Sequence, residues 1–179
     1  MVGQRTAALY TLNTTTGVAT RVGSAVQFGV NESFPSGLAS HGGVLYMVGA
    51  ITDALYTLNT TTGVATRVGS ATFGDEGTPT GLASHKGVLY MVGRVTDALY
   101  TLNTTTGVAT RINPGSEAFG ADVLFPAGLA SHNDVLYMSG NRGFYRLNEA
   151  PPENFGTLTI SAVRRGTCLL YTSPSPRDS

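Results

Sequence analysis

The sequence contains no tryptophan, one cysteine (Cys168) and one lysine (Lys86). Charged residues make up only 12% of its 179 positions, and 11 Lys and Arg balance 11 Asp and Glu. An average soluble protein carries roughly 25% charged residues. A chain of zero net charge has no basic field for a phosphate backbone, so nucleic acid is not expected as a partner. No apolar run approaches the ~20 residues a membrane-spanning helix needs. Neither an Asp-rich calcium loop nor a phosphate-cradling glycine loop is present. What the chain does have is glycine, 23 residues of it, and runs of threonine. That mixture favours strands and turns over helices.

Internal repetition dominates the sequence. The run Ala54-Leu-Tyr-Thr-Leu-Asn-Thr-Thr-Thr-Gly-Val-Ala-Thr-Arg67 recurs unchanged at Ala8 to Arg21 and at Ala98 to Arg111. Gly37-Leu-Ala-Ser-His41 recurs at Gly81 to His85 and Gly128 to His132, and Val44-Leu-Tyr-Met47 at Val88 to Met91 and Val135 to Met138. The offsets are 44 to 47 residues. Each unit reads as four short strands bounded by turn residues. In the third unit, strand a is Gly81 to Ser84, b is Gly87 to Val92, c is Ala98 to Leu102 and d is Val108 to Ile112. The a–b links (His41-Gly42-Gly43, His85-Lys86-Gly87, His132-Asn133-Asp134) suit tight hairpins that need positive φ. The c–d link, Asn-Thr-Thr-Thr-Gly, ends on a glycine suited to a left-handed position. The d–a link varies, carrying Phe28-Gly29, Phe73-Gly74 or Phe119-Gly120 and then Pro35, Pro79 or Pro126 just before strand a.

Strand b is apolar on both faces and therefore needs cover on both sides. Strand a, built of Gly, Ala and Ser, suits a crowded place where backbones approach closely. Four strands in ~40–50 residues is the period of a β-propeller blade. A stacked β-solenoid competes, but its parallel coils need no hairpin turns. The expected fold is all-β, a partial β-propeller of about three and a half four-stranded antiparallel blades. The expected units are a truncated blade at 1–23, blades at 37–69 and 81–112, and a blade at 128–163 with a divergent strand d. Met1-Val2-Gly3 aligns with Met47-Val48-Gly49 and Met91-Val92-Gly93, so the first unit is expected to lack strand a and most of strand b. The chain is accordingly read as a fragment of a larger protein whose remaining blades close the propeller. Gly143 to Asn148 is expected to be strand c of the last unit, with Gly156 to Ile160 as strand d.

His41, His85 and His132 occupy equivalent positions and are candidate ligand contacts; a ring of metal ligands or catalytic bases is disfavoured against a turn role at the a–b hairpin, because blade rotation separates equivalent positions and a metal needs ligands converging within about 2.0–2.2 Å. Each follows a serine, and strand neighbours point to opposite faces, so these dipeptides are poor nucleophile–base pairs. Glu32 and Glu76 each lie three residues before a loop proline and are candidates for lining a ligand-binding face. Asp53 and Asp97 read as surface turn residues. Asn13, Asn31, Asn59 and Asn103 begin Asn-x-Ser/Thr triplets, which are glycosylation acceptors in a secreted protein. No catalytic residue, metal site or cofactor is assigned.

The pattern Gly-Leu-Ala-x-x-x-x-x-Leu-Tyr followed by Leu-Tyr-x-Leu-Asn-x-x-Thr-Gly-x-Ala-Thr resembles uncharacterised extracellular propeller repeats, similar in style to YVTN, NHL and quinoprotein-like propellers. The resemblance covers residues 1 to about 163. It implies the fold and leaves the activity open, because propellers host many. Without tryptophan the chain departs from the docking motif of quinoprotein dehydrogenases and from the Trp-Asp signature of intracellular repeats, so no quinone is expected. The segment Cys168 to Asp178 resembles one translated reading frame of a transposase adapter from sequencing libraries, and residues 168–179 are set apart from the fold as an adapter-derived, disordered tail. The expected function is a non-enzymatic repeat module that binds protein or glycan, in an extracellular setting suggested by the Thr-rich turns and scarce lysine. Two alternatives stand beside it: a lectin with one sugar pocket per blade, and part of an enzyme whose catalytic residues lie in further blades.

Overall fold

The computed structural model describes residues 2–3, 7–24, 28, 34–74, 78–112, 119, 126–141, 143–148 and 159–163. Among them the regular structure is entirely β. The first sheet holds β1 (Val2–Gly3), β2 (Ala8–Leu12) and β3 (Ala19–Arg21) in that order. The second holds β4 (Pro35–His41), β5 (Val44–Gly49), β6 (Ala54–Leu58) and β7 (Ala65–Arg67). The third holds β8 (Pro79–His85), β9 (Val88–Gly93), β10 (Ala98–Leu102) and β11 (Ala109–Arg111). The fourth holds β12 (Gly128–His132), β13 (Val135–Gly140), β14 (Gly143–Asn148) and β15 (Thr159–Val163). Every sheet is an antiparallel meander, and β4, β8 and β12 pack side by side. The chain is an all-β partial propeller, and these three strands are the innermost.

Registers repeat from sheet to sheet. Leu45 faces Leu58, Leu89 faces Leu102 and Leu136 faces Leu147. Val2 faces Leu9 as Val48 faces Leu55 and Val92 faces Leu99, so β1 carries the last two positions of strand b.

Three boundaries differ from the sequence expectation. The innermost strands begin at Pro35 and Pro79 rather than after them, with a register shift between the proline and Gly37 or Gly81. Proline is tolerated there because the first residue of a strand need not donate to the ladder. The shift leaves Thr80 out of register, and its hydroxyl donates across to the Pro126 carbonyl, two residues before the fourth sheet, at 2.6 Å. Strand d is shorter than expected, Ala109–Arg111, although the Val108 carbonyl still accepts from Asn103 N–H and Ile112 N–H still donates to Leu99, both at 2.9 Å. In the fourth sheet the outer strand lies at Thr159–Val163, three residues beyond the expected segment. The rest of 149–179, including Cys168, lies outside the described residues.

Burial is arranged between sheets. On β9, Met91 belongs to a core with Val48, Leu55 and Tyr100, against the second sheet. The adjacent Val92 belongs to a core with Leu136, Met138 and Tyr145, against the fourth. Alternation along one strand thus serves two interfaces. Each such side chain contributes about 1.5–3 kcal/mol when buried. The cover required on both faces of strand b is supplied by the two neighbouring sheets. Close approach sets the innermost residues. A Cβ on Gly81 would stand 2.8 Å from the Leu129 backbone nitrogen, and one on Gly37 would stand 2.9 Å from Leu82 Cβ.

The loop phenylalanines complete these cores. Phe28, Phe73 and Phe119 are all buried. Their N–H groups donate to the carbonyls of Ala7, Asp53 and Asp97 at 3.2, 2.7 and 3.0 Å. All three acceptor residues have positive φ, near 45°. The b–c turn and the d–a link are therefore tied together in every sheet-to-sheet seam. Buried tyrosine hydroxyls are satisfied from the same turn, with Tyr56 donating to Thr52 at 2.9 Å and Tyr100 sharing a 2.7 Å bond with Thr96.

Candidate functional site

The repeated Ser-His dipeptides end the innermost strands, and the sheets bring their side chains together in a way local spacing does not disclose. Within a dipeptide the two side chains diverge. Between sheets they meet: His41 Nδ1 lies 2.9 Å from Ser84 Oγ, and His85 Nδ1 lies 2.9 Å from Ser131 Oγ. His41 and His85 are thus each bonded to the serine of the next sheet. His85 is buried, only 6% exposed. A buried polar ring without a partner is costly, so this bond is part of what allows the packing. Each ring also sits beside a strand-b tyrosine, with His41–Tyr46 and His85–Tyr90 centroids both 6.1 Å apart. His132 differs. It is exposed, and its Nε2 lies 3.0 Å from Asn133 Nδ2. The three histidines therefore do not converge on one another. Among the described residues no group of three or more His, Cys, Asp or Glu side chains is placed to hold a metal.

An open pocket of about 270 Å³ lies beside this ladder, between the second and third sheets. His41 forms one wall. Val88, Leu102 and the turn residues Asn103, Thr104 and Thr105 form the other. The turn is rigid for a local reason. Asn103 Oδ1 accepts from the N–H groups of Thr105 and Thr106 at 2.9 Å, while Gly107 N–H donates to the Asn103 carbonyl. Asn13 and Asn59 do the same in their own turns. This is the Asx arrangement that makes asparagine favourable in turns. All three asparagines are exposed. The pocket is thus lined by an imidazole, two threonines on a fixed turn, and the aliphatic residues Val88, Leu89 and Leu102. One ring nitrogen of His41 is bonded to Ser84, and the other has the chemistry of a donor or an acceptor according to tautomer.

Asp53 and Asp97 are half-buried rather than freely exposed. Asp53 Oδ1 accepts from the Thr78 N–H at 3.4 Å, which gives it a loop-tethering role. Glu32, Glu76 and Asn31 lie outside the described residues. The Ser–His ladder is what reading the sequence missed. A signal was present: both residues occur in each of the last three units, so partners of successive units are separated by one residue less than the repeat.

No protein-family model matches the chain, and no curated protein matches it. Solved structures do. Virginiamycin B lyase from Staphylococcus aureus aligns at a TM-score of 0.56 and 13% identity, over 88% of this chain and 49% of the lyase. A streptogramin B lyase structure aligns at 0.58 and 14%, over 90% of this chain and 49% of that one. A protein of unknown function from Bacteroides thetaiotaomicron aligns at 0.57 and 18%, over 79% and 39%. At these identities the likeness is one of fold. The chain spans about half the length of the lyases it resembles.

Proposed function

We propose that this chain is a non-enzymatic propeller repeat module that binds a protein or glycan ligand where the a–b hairpins and c–d turns meet. The observation that carries the reading is the pocket between His41 and the Asn103–Thr105 turn. Its hydroxyls and imidazole suit hydrogen bonding to a neutral polar ligand, and its turn is built identically in each of the first three units. Repeated weak contacts on a rigid array gain avidity without needing any one strong site. The sequence supports the same reading, since near-identical units lack the asymmetry an active site requires.

Further contacts are assigned to the exposed His132 and to Glu32 and Glu76 on the d–a links, while the buried His85 keeps its structural bond to Ser131. Asn13, Asn31, Asn59 and Asn103 are the acceptors if the protein passes through a glycosylating secretory route. An extracellular location fits the exposed Thr-rich turns. The test is retention on a glycan array and capture of purified protein ligands, comparing the unaltered chain with Thr104→Tyr, which fills the pocket. The expected result is at least a tenfold loss, about 1.4 kcal/mol, with unchanged thermal unfolding. Equal retention by the two proteins would overturn the reading.

The lyase neighbours favour a second reading, in which this is one part of an enzyme. The 2.9 Å contact between His41 and Ser84 is within the reach a nucleophile–base pair needs. Incubation with quinupristin, the compound bound in one of the lyase structures, decides between them for that substrate. Turnover lost in Ser84→Ala would support the enzyme and remove the non-enzymatic module.

A further inference from the structure

The two end sheets each present half of an interface that the chain already builds three times between its four sheets. Between the second and third sheets, Tyr46 and Leu55 meet Tyr100 and Leu102, and all four are buried. The fourth sheet carries the same register, with Tyr137 in the place of Tyr46 and Phe144 in the place of Leu55. Yet Tyr137 is 36% and Phe144 72% exposed, against 7% and 0% for their counterparts. The first sheet carries the other half. Leu12 stands where Leu102 does and is 47% exposed, against 5%. Ala19 is exposed, whereas its counterpart Ala65 is 2% exposed.

We propose that the outer face of the fourth sheet docks on the outer face of the first sheet in a second copy of this chain, head to tail. This goes beyond the ligand-binding reading and does not depend on it. Three observations select a second copy as the occupant. The two faces are the two sides of a seam whose packing recurs three times within the molecule, although the first sheet brings three strands to it rather than four. The chain carries no net charge, so no like-charge repulsion opposes contact between copies. The chain also aligns with 49% of a lyase of the same fold, so two copies match one such chain in length. The contact is heterologous, since different faces meet, and two such contacts per pair close a ring.

The experiment is light scattering on size-exclusion fractions of the full chain across the micromolar range. The expected mass at the highest concentration is twice the 18.6 kDa of one chain. Leu12→Glu and Phe144→Glu alter exposed positions on opposite end faces, and each alone is expected to return the mass to that of one chain. An equimolar mixture of the two variants retains one intact pair of faces and is expected to recover the dimer, which also shows that both variants are folded. A chain that stays monomeric throughout overturns the proposal and leaves further repeat units as the occupant. Association abolished by only one variant overturns it in favour of like faces pairing. A mixture that stays monomeric overturns the head-to-tail geometry.

Discussion

The third and fourth sheets share their register and most of their apolar letters, yet they hold those letters differently. Leu99 of the third sheet is 3% exposed, and Phe144, its counterpart in the fourth, is 72% exposed. Nothing within either sheet accounts for this, because the strand-b partners are equivalent: Val92 faces Leu99 as Ser139 faces Phe144. The difference lies in the flanking sheets. The third sheet has a neighbour on both sides, while the described residues offer the fourth a neighbour on one. Stability in such an array belongs to seams between sheets as much as to the sheets themselves, the nearest-neighbour arrangement expected of repeat proteins.

The comparison breaks most sharply at the innermost strands. Gly81→Val forces a Cβ within 2.8 Å of the Leu129 backbone nitrogen, and that backbone cannot yield as a flexible side chain would. The expected loss is about 4 kcal/mol or more, enough to unfold a marginal array. Gly87→Val provides the contrast. No atom lies within 4 Å of its Cβ, so its cost comes only from a φ of +74°, and urea unfolding should rank it well below the first.

The next largest contrast is between equivalent seam and end positions. Leu99→Ala removes a side chain buried between the third and fourth sheets and should cost about 2–5 kcal/mol. Phe144→Ala, measured on the dilute monomer, should stay within about 0.5 kcal/mol. Chemical denaturation of both variants at one low concentration reads the difference. Equal losses would show that the fourth sheet's outer face is covered from within the chain.

A smaller effect separates the two Ser–His contacts. Ser131→Ala removes a 2.9 Å bond to the buried His85 ring and should cost about 1–3 kcal/mol. Ser84→Ala deprives a half-buried His41, whose nitrogen water can reach, and should cost less, about 0.5–1.5 kcal/mol. Thermal unfolding of the pair gives the order. An effect of similar size is expected in the same unfolding measurement from Asn103→Ala, which frees two turn N–H groups that solvent can satisfy. Loss of a comparable side-chain cap costs about 1 kcal/mol.

The sequence made the units, their strands and the need for cover on both faces of strand b readable, because each follows from periodicity within a few residues. Crowding at strand a was readable from Gly37 and Gly81 for the same reason. The bonds of His41 to Ser84 and His85 to Ser131 were not, since they depend on how one sheet is turned against the next, and no local pattern sets that rotation. Phe73 and its counterparts were visible as repeated letters in a variable link. Their role as buried plugs tied to a positive-φ carbonyl required the b–c turn to be seen beside them. Thr80 passed unnoticed because a register shift, rather than alternation, turns its hydroxyl toward Pro126. The pocket obeys the same rule, as its two walls come from different sheets.

The central claim is that successive sheets stand side by side with their innermost strands nearly touching. Nuclear Overhauser spectroscopy on the labelled chain tests it without any substitution. The account predicts cross-peaks from Gly37 Hα to the Leu82 side chain and from Gly81 Hα to the Leu129 amide. Their absence, in a spectrum that shows the hairpin contacts within each sheet, would mean that the sheets form but do not pack around a common axis.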